Sequence, residues 1–137
     1  MNKLKALFLI IEVILGYCIP IYFLILGTLM GWIFVAGLFY AEKNSVLVVS
    51  ALIFGWYGVA GVSKLLMKII SPEKHNINAR RVTIHLALGV VGVIAGSHLI
   101  GGMERDIPIF TLIILVPPIL VTLHLFYLGR GYLWQNN

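Results

Sequence analysis

Four ionisable side chains stand inside or at the inner edge of long apolar runs in this 137-residue chain: Glu12, Lys64, His85 and His124. An acid in hydrocarbon is costly to hold, and such residues mark pairs, proton relays or ion paths more often than ordinary surface. Glu12 lies about two turns into its run, roughly 9 Å from the start at a 1.5 Å rise per residue. Counting inwards from the same side of the other runs puts Lys64, His85 and His124 at comparable depth. The expectation is an intramembrane polar cluster in which Glu12 pairs with Lys64 and two imidazoles stand within reach. Against it stand plainer roles: a Lys64 that snorkels to the headgroups, a Glu12 that only registers two helices, and structural histidines. Ser50, Tyr57 and Lys64 follow one another at intervals of seven and form a polar stripe on one helix face.

Other chemistry is thinly supported. No nucleophile elbow, phosphate loop, His-Glu-x-x-His pattern or intramembrane carboxylate pair occurs, so an enzyme is not expected. His85 and His98 are thirteen residues apart, but bis-imidazole haem ligation needs two histidines at one depth on different helices, and His98 has no such counterpart. Zinc lacks a closed tetrahedral ligand set. Cys18 is the single cysteine, which excludes an intrachain disulfide. Neither a cofactor nor a metal is implied.

The elements that must position these residues follow from composition. Hydrophobic residues make up 61% and charged residues 11% of the chain, with a mean hydropathy of +1.03. A soluble domain carries about 25% charged residues; here lipid must be the solvent for most of the surface. A span needs about 20 apolar residues. Residues 6–40 are too many for one straight crossing and few for two, so the expectation is one long first span, tilted or kinked at Pro20, with its far end in an aromatic belt at Trp32, Phe34, Phe39 and Tyr40. Lys3 and Lys5 before this run imitate a signal peptide, but the run exceeds the roughly 7–15 residues of a cleavable core. Further spans are expected over 46–70, 82–100 and 107–128. Pro117 and Pro118 should break the last, and Gly129-Arg130-Gly131 should end it.

Charge orients this set. With the N-terminus inside, Lys3, Lys5, Lys64, Lys68, Lys74, Arg80, Arg81 and Arg130 fall on one side and only Lys43 and Arg105 on the other. That bias follows the positive-inside rule. The fold class expected is an all-α integral membrane protein, a four-helix transmembrane bundle with a long kinked first helix and both termini cytoplasmic. It forms a single domain in the inner (plasma) membrane.

Small residues should govern the packing, because close backbone approach replaces the hydrophobic effect between helices in lipid. Ala51, Gly55 and Gly58 line one face of the second span; Gly89, Gly92 and Gly96 line one face of the third. Facing grooves would seat these spans together or support a homo-oligomer. Lys64, Lys68, Lys74, Arg80 and Arg81 form a basic inner face suited to anionic lipid or an acidic cytoplasmic protein; nucleic acid is not expected. A glutamate in the first of four short spans resembles the small multidrug transporters over residues 6–16, while the overlong first span and strong charge bias depart from their pattern. The function expected is a non-enzymatic membrane subunit (anchor, sensor, defence or immunity type) acting by self-association or partner binding. The alternative is a small channel or ion-coupled transporter using Glu12. Accessibility labelling should find the Met1 and Asn137 ends facing the same compartment; opposite compartments would rule out an even number of crossings.

Overall fold

The computed structural model describes residues 3–38, 43–75, 77–103 and 108–134, excluding the side chains of 38, 43, 44, 97–103, 108–111, 113 and 114. Glu104, Arg105 and Asp106, the belt positions Phe39 and Tyr40, and the His98 side chain lie outside that description. All described secondary structure is helical: α1 (Lys3–Leu29), α2 (Gly31–Leu38), α3 (Lys43–Ile70), α4 (Ala79–Met103) and α5 (Pro108–Trp134). Among the described residues, three stretches are long and apolar enough to cross a bilayer: Lys3–Leu29, Ser45–Ile70 and Ala79–Gly96.

Local chemistry explains most boundaries. The first apolar run is interrupted at Met30 rather than at Pro20, which α1 accommodates within its length. There the hydrogen bonding tightens, from Met30 N–H onto the Leu26 carbonyl to Ile33 N–H onto the Met30 carbonyl, an i−3 turn beside the weak helix former Gly31. α3 stops at Ile70 because Ser71 precedes Pro72, and a residue before proline is driven out of the helical region. Lys68 Nζ then donates to the Pro72 carbonyl at 2.7 Å. Asn78 caps α4, its Oδ1 accepting from the Arg81 N–H at 3.2 Å. α5 does not end at Gly129-Arg130-Gly131: it continues to Trp134, with Leu133 buried and Gly129 seated against Leu65.

The tightest seam joins α3 to α4. Gly58 and Gly89 meet Cα to Cα, so a Cβ on either would run into the other's backbone. One turn away, a Cβ on Gly61 would stand 2.9 Å from the His85 Cβ; in the other direction, one on Gly92 would stand 2.7 Å from the Gly55 nitrogen. Gly55, Gly58, Gly89 and Gly92 thus come together, joined by Gly61, which the spacing did not single out. Gly96 meets nothing within 4 Å, and Ala51 stands at the wall of an open space. α1 meets its neighbours through its own glycines: Gly16 receives Val121 of α5, and Gly27 receives Leu52 of α3.

Packing differs between the two halves. The buried core consists of Leu9 and Tyr17 from α1, Val62, Leu65 and Ile69 from α3, Val82 and Leu86 from α4, and Val121, Leu125 and Leu133 from α5. Every one of these lies in the half nearer the α3–α4 connection. The other half holds a cavity of about 500 Å³. Trp56 and Tyr57 are 41% and 45% exposed: Trp56 turns aside to donate its indole N–H to Thr28 Oγ1 at 2.9 Å.

Adding a methyl to the seam should therefore be felt. Gly58→Ala or Gly89→Ala is expected to cost about 1–3 kcal/mol, as overpacking does. Gly96→Ala, which meets open space, should be neutral or stabilising by up to about 1 kcal/mol through helix propensity. Thermal unfolding of detergent-purified variants checks this ordering, and equal effects at the three positions would refute it.

Candidate functional site

α1 and α5 run antiparallel, so equal distances from their cationic ends mark equal levels. Glu12 stands seven residues past Lys5 and His124 six residues before Arg130, roughly 10 Å and 9 Å at the helical rise. The two side chains meet there: His124 Nδ1 lies 2.6 Å from Glu12 Oε1. With the carboxylate ionised the imidazole donates from Nδ1; with it protonated the direction reverses, so the donor is set by the tautomer. The side chains are 45% (His124) and 38% (Glu12) exposed, so one edge of this pair faces out from the α1–α5 surface.

A second rung joins the same helices further from their ends. Thr122 Oγ1 donates to the Pro118 carbonyl at 2.6 Å, the usual back-bond of a helical threonine. Its single proton is thereby engaged, so the Tyr17 hydroxyl is the donor in the 2.5 Å contact with Thr122 Oγ1. The Thr122 hydroxyl thus reaches Pro118's own carbonyl, not the carbonyls that Pro117 and Pro118 leave without a donor. Beside the second rung Gly16 lets Val121 close on the α1 backbone. Tyr17 was not singled out by spacing. The signal for it was chemical: a tyrosine in an apolar run needs a partner for its hydroxyl when buried.

The other expected members of the cluster are placed apart from this pair. The partner of Glu12 is His124 and not Lys64, whose side chain is exposed. His85 belongs to the α3–α4 seam: its ring lies 5.2 Å from that of Tyr57 at a tilt of 49°, and its Nδ1 is buried without a hydrogen-bond partner among the described residues. The stripe of Ser50, Tyr57 and Lys64 therefore meets α4 through Tyr57, while Ser50 is half-buried and Lys64 faces out. α5 is one helix through Pro117 and Pro118, with Pro118 fully buried. Among the described residues no group of three His, Cys, Asp or Glu side chains converges as a metal site would.

Cations gather at the end where α3 turns into α4 and α5 finishes. Lys64, Lys74, Arg80, Arg81 and Arg130 are exposed there. Lys68 sits 5.5 Å above the Tyr132 ring and Arg130 lies 4.5 Å above that of Tyr127, both within cation–π range.

The fold and site together define a class: an all-helical chain with apolar helices long enough to cross a bilayer, a half-exposed Glu–His pair between its first and last helices, and a basic end. Compared with protein-family models, curated proteins and solved structures, the chain matches none of them.

The pair is open to a double-mutant cycle. Glu12→Ala and His124→Ala should each destabilise the protein, with a coupling of about 0.6–1.7 kcal/mol, the range for polar contacts between membrane helices. Additive effects would mean that the two side chains do not act on one another.

Proposed function

We propose that this chain is a non-enzymatic, multi-pass subunit of the inner membrane that engages a partner through its basic end. It crosses the bilayer four times, with residues 6–40 as one long first crossing and α3, α4 and α5 as the others, and both termini face the cytoplasm. The observation that carries this reading is the convergence of Lys64, Lys68, Lys74, Arg80, Arg81 and Arg130 at one end. Such a cluster holds helices with that end inside. It also offers several donors to an acidic protein surface or to anionic headgroups, each cation near an anionic membrane contributing about 1 kcal/mol. Lys68 is engaged with Pro72 and Tyr132 and shapes the platform, whereas Lys74, Arg80 and Arg81 are left facing outwards.

Self-association belongs to the same proposal, through a different surface from the one the spacing suggested. Gly58, Gly61, Gly89 and Gly92 are consumed at the seam between α3 and α4, which leaves the α1–α5 face for a second copy. The Glu12–His124 pair supports that choice, because a polar edge turned towards lipid is unfavourable until another chain covers it. The same pair is what favours the alternative of an ion conduit. The cavity beyond it has an almost wholly hydrocarbon wall, which favours the subunit.

Replacing Lys74, Arg80 and Arg81 together with glutamine should release the partner from the detergent-solubilised complex while leaving the helix content unchanged. Mass measurement of the wild-type and triple-variant complexes with their co-purifying proteins checks this. Binding should also weaken with salt, since exposed charges are screened within about 8–10 Å at physiological ionic strength. A partner retained equally by both proteins would overturn the assignment to the basic end.

A further inference from the structure

The half of the molecule away from the basic end is hollow, and the shape and chemistry of that hollow select what fills it. Its wall is contributed by α1 and α2 from Tyr17 to Phe34, by α3 from Val48 to Val59, by α4 from Leu86 to Gly96, and by α5 near Pro118. We propose that this cavity is a binding site for one acyl chain of a membrane phospholipid, entering from the leaflet opposite the termini and ending beside Tyr17 and Thr122.

Two alternatives fail on physical grounds. An empty space of about 500 Å³ would forfeit packing on the scale of the whole stability of a typical domain, at the measured dependence on cavity volume. Water needs two to four polar partners in such a place. The only hydroxyls described at the inner end are those of Tyr17 and Thr122, whose donors are already engaged with each other and with the Pro118 carbonyl. The α3 and α4 walls extend roughly 15–17 Å at the helical rise.

A single hydrocarbon chain meets every condition. The wall length is about half of the roughly 30 Å hydrocarbon core, the depth that one tail covers from headgroup level to midplane. Because the Tyr17–Thr122–Pro118 relay leaves no donor unspent, the inner end asks for a methyl terminus rather than a polar head. The volume falls within the usual range for ligand sites, about 300–1,000 Å³. The smooth part of the wall is glycine: Gly89 and Gly92 face it from the seam, and Gly96 faces it with no neighbour within 4 Å. Membrane immersion is all that this site requires of the functional reading above. It is independent of the partner and of which compartment the termini face.

Gly96 provides the test, since a side chain there enters the cavity without striking the protein. Full-length protein is delipidated in detergent and titrated with palmitoyl-oleoyl phosphatidylglycerol, and bound lipid is counted by native mass spectrometry. The wild type should retain one phospholipid per protomer. Gly96→Leu should weaken its retention about tenfold or more, equivalent to about 1.4 kcal/mol, with helix content preserved. Ala51→Leu fills the same cavity from the facing helix and should act alike, which guards against a local effect at Gly96. Gly131→Leu, also open to space but at the far end of α5, should bind as the wild type does. Absence of a stoichiometric phospholipid on the wild type would overturn the proposal, as would undiminished retention by Gly96→Leu and Ala51→Leu. Partner retention through the basic end should not change in either variant, so failure of one reading is separable from failure of the other.

Discussion

The contact between the backbones of Gly58 and Gly89 is the constraint on which the rest of the structure depends. Two helices can touch at their Cα atoms only where neither carries a side chain, and that contact fixes both the register and the separation of α3 and α4. Once they are fixed, Gly61 must face His85 and Gly92 must face Gly55, because each pair lies one turn from the contact along antiparallel helices. The exposed cations of α3 and α4 are then carried to a common end. Helices that gain little from burying apolar groups against each other in lipid rely on such close approach.

α1 and α5 are added to this pair by a different device. Gly16 admits Val121, but the pairing between the two helices is also specified by polar rungs, Glu12 with His124 and Tyr17 with Thr122. Two rungs at different levels resist both sliding and rotation, which an apolar contact alone does not. Their geometry also divides the molecule. On the side of the basic end the four long helices close on Leu65 and Leu125, both without solvent exposure. On the other side the same helices diverge around the cavity. The chain is thus tightly packed where it is charged and open where it is apolar.

Particular residues show where sequence reasoning reached and where it stopped. The helical character of the chain was legible because unbroken apolar runs of more than 20 residues leave the backbone no other way to satisfy itself in lipid. The level shared by Glu12 and His124 was legible from the helical rise. The choice of His124 over Lys64 as partner was not, since depth says nothing about which helices are neighbours. The break at Met30 in place of Pro20 was equally hidden. Proline inside a long apolar helix is tolerated when its surroundings accommodate it, and the Gly16 backbone lies directly against Val121. The extension of α5 through Gly129 and Gly131 depends on Leu65 and on the burial of Leu133, which local propensity cannot register.

What the sequence by itself determined is one-dimensional: which stretches are apolar enough to be helices in lipid, at what level each polar side chain sits, and which ends carry positive charge. Those properties follow from composition and from a fixed rise per residue, and neither depends on neighbours. The tertiary structure alone decided adjacency: that glycine meets glycine across α3 and α4, that Glu12 finds an imidazole on α5, and that one half closes while the other stays hollow. The reason is steric. Rotation about each helix axis is set by whichever side chains and glycines can interlock, and that fit exists only when the helices are together.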